Sequence, residues 1–215
     1  MTSMPTDIAP TYDEEAALIE DGYAVIAGVD EAGRGSLAGP VVAGAVVLPL
    51  HPSDDWIAGI RDSKLLTPRQ RQAALQTMRD ESIAMGYGIA SNAEIDDMGI
   101  IWATRAAMSR AIDALPVRPD FLLLDAVLLP DLATDQRSII KGDAKCLSIA
   151  AASIVAKETR DSIMREYSDV YPAYGFAQHK GYATRQHLDA LENFGPCEIH
   201  RYSFAPVRRL VESML

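Results

Sequence analysis

The feature that most constrains the fold is an uninterrupted apolar run at residues 121–124, which ends in Asp125. A strand without polar alternation is buried on both of its faces, as in the parallel sheets of α/β proteins. Two further short apolar runs, at 23–30 and 40–48, also predict strands. We therefore predict an α/β fold in which helices cover both faces of a mostly parallel sheet.

Helix signals lie between and after these runs. Thr67 is a typical N-cap residue, Pro68 suits the first helical position and Gln70 completes a capping box, which predicts a helix over about 68–82. The other predicted elements are strands at 83–90 and 138–140, helices at about 100–115 and 184–193, and a long Ala-rich helix at 144–167 that Asp143 could cap. The last fifth of the chain is rich in Gly and Pro, which indicates a loop-rich C-terminal extension.

The length of 215 residues suits a single domain, which we expect to span residues 22–215. No run approaches the roughly 18 apolar residues of a membrane span, and the N-terminus lacks the features of a secretory signal. We therefore expect a cytoplasmic protein without membrane contact. Cys146 and Cys197 form no Cys-x-x-Cys pair, so we expect reduced, packed thiols.

The formal net charge of −10 argues against tight non-specific binding of nucleic acid, whose phosphates attract Lys and Arg. The charge is distributed unevenly. Residues 1–21 contain six acids and no base, and we expect them to form a solvated acidic tail that need not be ordered. Residues 137–215 contain eleven Lys and Arg against nine Asp and Glu, so a phosphate-binding face should draw on this half.

Carboxylates at the ends of the apolar runs are the most informative residues for function. Asp30 follows the first run and Asp125 follows the buried one, where a carboxylate is costly to desolvate unless it is paired, hydrogen-bonded or bound to a cation. The carboxyl ends of neighbouring parallel strands converge, which could bring Asp30, Glu31 and Asp125 to one crevice. Asp143 could complete the set.

Four carboxylates at close quarters would repel one another until divalent cations neutralise them. Two Mg²⁺ ions about 3.5–4 Å apart would suit phosphodiester hydrolysis, because they stabilise both the attacking and the leaving oxygen. A purely structural role is an alternative for each of these acids, and Asp125 is the hardest to explain in that way. Asp30 and Glu31 could be turn residues before glycines, and Asp143 could be an ordinary N-cap.

Residues 33–38, Gly-Arg-Gly-Ser-Leu-Ala, formally match the dinucleotide-binding pattern Gly-x-Gly-x-x-Gly/Ala. That pattern requires a following helix whose N-terminus holds the pyrophosphate, whereas Gly39 and Pro40 lead into a strand-like run that predicts a hairpin. A nucleotide-cofactor (NAD-type) oxidoreductase is therefore the alternative function, which a helix at 40–48 would favour. In a hairpin, the glycines would let the backbone approach a ligand while Arg34 engages a phosphate.

Six segments of the chain, in order, resemble the sequence signature of the bacterial ribonuclease HII family. They are GVDEAGRGSLAGPVVAGAVVLP at 28–49, DSKLLT at 62–67, LLLDA at 122–126, IIKGDAKCLSIAAASIVAKETRD at 139–161, YPAYGFAQHKGYAT at 171–184 and HRYSFAPV at 200–207. They cover most of the chain from about 22 to 210. A long signature with several ordered followers is far more specific than a single glycine motif.

The resemblance implies a ribonuclease H-like fold, with a mixed five-stranded sheet, flanking helices and a C-terminal helical extension. It assigns metal binding and catalysis to Asp30, Glu31, Asp125 and Asp143. It assigns substrate binding to Gly33, Arg34, Gly35, Lys64 and Tyr182. In the family pattern, the glycine loop contacts 2′-hydroxyls around the scissile phosphate and the tyrosine stacks at the RNA–DNA junction.

The activity implied by the resemblance is that of an endoribonuclease that uses two Mn²⁺ or Mg²⁺ ions. It would hydrolyse the RNA strand of RNA–DNA hybrids and cut 5′ of single ribonucleotides embedded in duplex DNA, giving 3′-hydroxyl and 5′-phosphate ends. We expect the protein to act as a monomer. A non-catalytic nucleic-acid-binding module with the same fold is a further alternative, which tight binding without cleavage would favour.

Overall fold

A computed structural model describes residues 9–50, 52, 59–81 and 83–214. Five strands form one mixed sheet: β1 (Ile26–Ala32), β2 (Val41–Val47), β3 (Ala84–Ala90), β4 (Phe121–Asp125) and β5 (Asp135–Ile139). Their order across the sheet is β3-β2-β1-β4-β5. The pairs β1–β2 and β2–β3 are antiparallel, whereas β1–β4 and β4–β5 are parallel. The sheet is therefore mixed rather than mostly parallel.

Helices cover both faces of this sheet. Among the described residues, the α-helices are α1 (Asp13–Glu20), α2 (Pro68–Asp80), α3 (Asn92–Met98), α4 (Ile100–Asp113), α5 (Leu147–Val170), α6 (Phe176–His179), α7 (Arg185–Phe194) and α8 (Ala205–Met214). Two short 3₁₀ turns lie at Gly142–Ala144 and Pro172–Tyr174. Helix α4 packs on one face and the long helix α5 on the other, while α6 to α8 form the C-terminal extension. Among the described helices, none has the length and apolarity that crossing a bilayer requires.

Glycines in the sheet let the long helix α5 approach the strands closely. A Cβ added to Gly28 would lie 2.2 Å from the carbonyl carbon of Ser148, and one added to Gly44 would lie 2.4 Å from the carbonyl oxygen of Ala152. Any side chain larger than hydrogen would push the helix away from the sheet. The close contact fixes the start of α5, and with it the turn that precedes α5, beside β1.

The predicted elements are confirmed, with small shifts at their ends. The capping box of α2 is present, because the Thr67 side chain accepts from the Gln70 N–H and the Gln70 side chain accepts from the Thr67 N–H. The run at 40–48 is strand β2, paired with β1 in the expected hairpin. The helix that a dinucleotide site would need is therefore a strand, and the oxidoreductase alternative loses its structural basis.

Two local predictions were wrong. Asp143 does not cap the long helix, because that helix begins at Leu147 after Cys146, and Asp143 lies in the preceding 3₁₀ turn. The C-terminal extension also contains α8, which the sequence analysis did not predict. Its Pro206 lies in the first turn, where a missing N–H costs little. Both cysteines are free thiols, as expected, and Cys146 is buried.

The N-terminal segment is more ordered than expected over residues 13–20, where α1 packs against the domain. Leu18 is buried in a cluster with apolar residues of β1 and β4. Glu15 is also buried, and its carboxylate accepts hydrogen bonds from the Ser148 N–H (2.7 Å) and the Cys146 thiol (3.1 Å). This acid therefore caps the N-terminus of α5, where a negative charge is favourable. Residues 1–8 of the predicted tail lie outside the described residues.

Candidate active site

Three carboxylates meet where β1 and β4 run side by side. One oxygen each from Asp30, Asp125 and Asp143 lies within 4.8 Å of the others. Asp30 and Asp143 are 4% and 5% exposed, and Asp125 is partly exposed. The site is therefore a buried acidic cluster that is open to solvent on the side of Asp125.

Strand register and one hydrogen bond position these groups. The parallel pairing places Val29 opposite Leu124, so the next residues, Asp30 and Asp125, end at the same level of the sheet. The Asp125 carboxylate accepts a hydrogen bond from the Gly142 N–H at 2.8 Å. That bond holds the 3₁₀ turn against the end of β4 and brings Asp143 into the cluster.

The structure does not bring Glu31 into this group of three. Its carboxylate forms an ion pair with Arg34, with a distance of 3.0 Å between Nη1 and Oε1. The other carboxylate oxygen, Oε2, is buried and finds no hydrogen-bond partner among the described residues. Glu31 is therefore outside this group of three, and one of its carboxylate oxygens is buried without a described partner.

The acids of the cluster are electrostatically strained. Burial raises the pKa of Asp30 well above its ordinary value, and the charges of Glu31 and Asp125 raise it further. Burial also raises the pKa of Asp125, although the hydrogen bond from Gly142 opposes the shift. The pKa of Glu31 is raised by burial against the opposing effect of Arg34. Positive charge close to these carboxylates would lower their pKa values and stabilise their charged forms.

Lys64 places one positive charge beside Asp143. Its Nζ lies 2.7 Å from Oδ2 of Asp143. Burial alone would lower the pKa of Lys64, but the hydrogen bond and charge of Asp143 outweigh burial and raise it overall. The turn that carries Lys64 is fastened by the buried Arg71, which donates to the carbonyls of Ser63 and Leu66. Arg71 also pairs with Glu158 of α5, a contact that the sequence analysis missed.

A second buried arginine, Arg201, stabilises the glycine loop, residues 33–40 between β1 and β2. Arg201 donates to the carbonyls of Gly33 (2.8 Å), Arg34 (2.9 Å) and Gly39 (2.9 Å). Burial, together with the like charge of Arg160, lowers the pKa of Arg201 to about 9, so the guanidinium stays charged at neutral pH. Gly33 has a φ of +96°, a conformation that favours glycine.

Arg160 of α5 joins the glycine loop to the segment that carries Tyr182. It donates to the carbonyls of Ala38 and Pro40 on one side and to that of Lys180 on the other. Its guanidinium carbon lies 5.6 Å from the centre of the Tyr182 ring, which is partly exposed. Sequence reasoning missed Arg160 and Arg201. Both lie among polar residues in the sequence, so no local signal marked them as buried.

The residues present fit divalent cations. The atoms of the cluster that could bind a metal are carboxylate oxygens, the ligands that Mg²⁺ and Mn²⁺ prefer. The unpartnered Oε2 of Glu31 and the raised pKa values of Asp30 and Asp125 are the features that a bound cation would relieve. Asp30, Glu31, Asp125 and Asp143 are therefore the side chains that would hold it.

We expect Mg²⁺ or Mn²⁺ to raise the melting temperature of the wild-type protein by roughly 5–10 °C at a hundredfold excess over Kd, since binding then contributes about 2.7 kcal/mol. Asp30→Asn should raise the melting temperature of the cation-free protein at neutral pH and reduce the shift caused by the cation. The sign follows from the raised pKa of Asp30, because the folded state loses stability as pH rises from the ordinary value to the raised one. Thermal scans with EDTA, Mg²⁺ and Mn²⁺ check this, and an unchanged shift in the variant would contradict it.

Comparisons with known proteins identify relatives that match most of the chain. The family model for ribonuclease HII matches residues 27–207. The ribonuclease HII of Dehalococcoides mccartyi (strain ATCC BAA-2266) is 47% identical over 209 residues, covering 97% of the chain and 99% of that relative. The crystal structure of ribonuclease H2 from Pyrococcus horikoshii OT3 has a TM-score of 0.75 at 25% identity, covering 88% of the chain and 98% of that structure. A structure of Bst-RNase HIII in complex with Mn²⁺ shares the fold, with a TM-score of 0.66 at 18% identity over 98% of the chain and 74% of that structure.

Proposed function

Because the chain belongs to the ribonuclease HII family and is a ribonuclease H endonuclease, we propose that it cuts 5′ of single ribonucleotides embedded in duplex DNA and hydrolyses the RNA strand of RNA–DNA hybrids. The observation that carries the proposal is the buried cluster of Asp30, Asp125 and Asp143 beside a glycine loop with an exposed Arg34. An acidic cluster that needs cations and a loop that can approach a phosphate together suit phosphodiester hydrolysis.

Asp30, Glu31, Asp125 and Asp143 are proposed as the catalytic residues and as the ligands of two divalent ions. Bound cations would supply positive charge for the attacking and leaving oxygens of the phosphodiester. The Mn²⁺ held by Bst-RNase HIII, whose fold this chain shares, supports the choice of Mn²⁺ or Mg²⁺. Cleavage would form a bond from a water oxygen to phosphorus and break the bond from phosphorus to the 3′-oxygen. The products would carry 3′-hydroxyl and 5′-phosphate ends, and no covalent enzyme intermediate is required.

Two cationic side chains flank the carboxylates. Lys64 forms an ion pair with Asp143, which orients that carboxylate. Arg34 holds Glu31 in the same way, and its exposed guanidinium has further donors for a phosphate oxygen. We propose that both residues neutralise the approaching phosphate, which helps a chain with a net charge of −10 to bind nucleic acid.

Recognition of ribose is assigned to the backbone at residues 33–35. The carbonyls of Gly33 and Arg34 are engaged by Arg201, so at these two residues the N–H groups are the atoms that could meet a 2′-hydroxyl. A Cβ added to Gly35 would meet open space, so a sugar has room to come near. The 2′-hydroxyl is the group that separates RNA from DNA at a single position.

Tyr182 is proposed to select the junction. Its partly exposed ring can stack on the deoxyribose that follows the ribonucleotide and exclude a second ribose there. Arg160 links this segment to the glycine loop, and the Leu37 N–H donates to the Gly181 carbonyl at 2.8 Å. The two substrate-facing segments are therefore fixed relative to each other, as selection of one sugar pair requires.

Three duplexes that carry one ribonucleotide, four ribonucleotides or none provide the test of this function. We expect cation-dependent cleavage of the first two, with the cut 5′ of the single ribonucleotide, and no cleavage of the third. End analysis should give 3′-hydroxyl and 5′-phosphate termini. Cleavage of the DNA-only duplex would contradict ribose recognition, and tight binding without cleavage in Mg²⁺ or Mn²⁺ would favour the non-catalytic module.

A further inference from the structure

Three buried histidines lie in the C-terminal extension, which also carries Tyr182. His187 and His200 are fully buried, and His179 is 8% exposed. His179 and His187 stack with ring centroids 4.5 Å apart. Neither the proposed hydrolysis nor the sequence analysis gives these residues a role, although buried polar rings must be hydrogen-bonded to be tolerated.

Two of the histidines form a chain of hydrogen bonds that ends at Tyr182. The Cys197 N–H donates to Nδ1 of His200 at 2.9 Å, and Nε2 of His200 lies 3.1 Å from Nε2 of His187. Nδ1 of His187 lies 2.9 Å from the carbonyl oxygen of Tyr182. We call His200 and His187, with these three bonds, the histidine chain.

Both ends of the histidine chain dictate the same direction of donation. At one end Nδ1 of His200 receives the Cys197 N–H at 2.9 Å. The Cys197 carbonyl oxygen lies further from the same nitrogen, at 3.2 Å, and already accepts the His200 backbone N–H at 3.0 Å, so Nδ1 carries the lone pair and the proton lies on Nε2. At the other end Nδ1 of His187 faces a carbonyl, which can only accept, so that nitrogen must donate. The remaining bond then runs from the Nε2–H of His200 to the lone pair of His187. The opposite direction would leave a lone pair facing the Tyr182 carbonyl.

The surroundings keep the histidine chain neutral. Burial, and then the neighbouring His187, lower the pKa of His200 to about 4. Burial lowers the pKa of His187 as well. His179 is also fixed in one form, because its Nδ1 accepts from the Gly181 N–H while its Nε2 faces the Tyr174 carbonyl. The donor on His187 is therefore permanently aimed at Tyr182.

Hydrogen bonds hold both the N–H and the carbonyl of Tyr182. Its N–H donates to the His179 carbonyl at 3.0 Å, and its carbonyl accepts from the Thr184 N–H at 2.8 Å in addition to His187. The ring itself lies beside Arg160 and is partly exposed, so it can meet a ligand. The position of the ring thus depends on backbone bonds, and the histidine chain supplies the one that comes from outside the segment's own backbone.

We infer that His187 and His200 are positioning residues, which set the backbone of Tyr182 and thereby the preference for a ribonucleotide followed by a deoxyribonucleotide. The inference rests on the proposed function, because it assigns Tyr182 the junction. Shifts near 1 Å at a reacting centre can cost about a hundredfold in rate. Loss of the histidine chain should therefore change substrate preference as well as stability.

A pair of substitutions at His187 separates positioning from packing. His187→Asn keeps an N–H donor near the place of Nδ1, whereas His187→Leu fills the space without a donor. In the duplex with four ribonucleotides, we expect the leucine variant to lose about tenfold or more of its preference for cutting at the ribonucleotide that a deoxyribonucleotide follows over cutting at the other three, and the asparagine variant to keep most of it. Equal losses at both kinds of position in both variants would mean a structural role and would overturn the inference.

A double substitution shows whether His187 acts through Tyr182. Tyr182→Ala alone should remove the preference, and adding His187→Leu should lower it no further, because the two changes disrupt one interaction. A further loss in the double variant would place the action of His187 elsewhere and reject the proposal. Absence of cleavage by the wild-type enzyme would instead reject the proposed function itself, so the two failures are distinguishable.

Ring nitrogen NMR tests the histidine chain without any assay of activity and without a variant that must fold. The whole protein has four histidines, so long-range proton–nitrogen spectra are simple to assign. We expect His187 protonated at Nδ1, and His179 and His200 protonated at Nε2, all neutral at pH 7. Protonation of His187 at Nε2 would overturn the inference.

Discussion

Replacing Asp125 with Asn is expected to reduce cleavage of a duplex with one ribonucleotide by at least about 10²–10³-fold, the loss typical of removing one electrostatic contact to a transition state. Asparagine has the same shape and can still accept the hydrogen bond from the Gly142 N–H, so the turn that carries Asp143 should stay in place. The variant removes a negative charge from a strained cluster and should unfold at a temperature no lower than the wild type. Single-turnover cleavage in Mg²⁺ and a thermal scan measure the two effects.

Asp131→Asn is the matched control, because it makes the same change at an exposed carboxylate outside the cluster. Its rate should stay within about twofold of the wild-type rate, as surface substitutions usually have small effects. Retained Mg²⁺-dependent cleavage by Asp125→Asn, at a rate close to that of the control, would count decisively against the proposed cation site.

Replacing Arg201 with Met should have the largest effect on stability. Methionine can fill much of the same space but cannot donate, so the carbonyls of Arg34 and Gly39 would lose this donor and that of Gly33 would keep only the longer bond from the Ser36 N–H at 3.3 Å. Each buried carbonyl left without a hydrogen bond costs about 1–3 kcal/mol, and we expect a total loss of about 3 kcal/mol or more. Urea unfolding measures it, and cleavage should also fall because the glycine loop loses its support.

Arg185→Met is the control for the charge and shape of the substitution. The side chain of Arg185 is 89% exposed, and it pairs with Asp189 on the surface of α7. Exposed pairs of this kind contribute about 0–1 kcal/mol, so unfolding should change little. Similar losses in the two variants would show that the buried bonds of Arg201 contribute no more than a surface pair.

The sequence allowed the strands and most helices to be predicted because each has a local signal. The apolar run at 121–124 and the capping box at Thr67 are readable without knowledge of tertiary contacts. The proximity of Asp30 and Asp125 was predicted because the ends of neighbouring parallel strands converge. Strands β1 and β4 are parallel neighbours, and their register pairs Val29 with Leu124, the residues just before the two acids. Their assignment to catalysis stays a prediction until the variants are assayed.

Features that depend on distant contacts could not be predicted in this way. Asp143 looked like an N-cap because it precedes a helical composition, but the capping carboxylate of α5 is Glu15, from a segment expected to be solvated. Arg160 and Arg201 likewise bond to backbone carbonyls that are distant in the sequence, and the histidine chain bonds to backbone groups at Tyr182 and Cys197. Backbone N–H and C=O groups are the same in almost every residue. A side chain that bonds to them therefore has a partner that the sequence does not identify.

The cap that Glu15 provides has a consequence for biosynthesis. Its partner, Ser148, lies 133 residues further along the chain, so this contact cannot form until about two thirds of the protein has left the ribosome. Contacts of such separation slow folding. During translation the acidic N-terminal helix must wait undocked, and the nascent chain should gain protease resistance only late in synthesis.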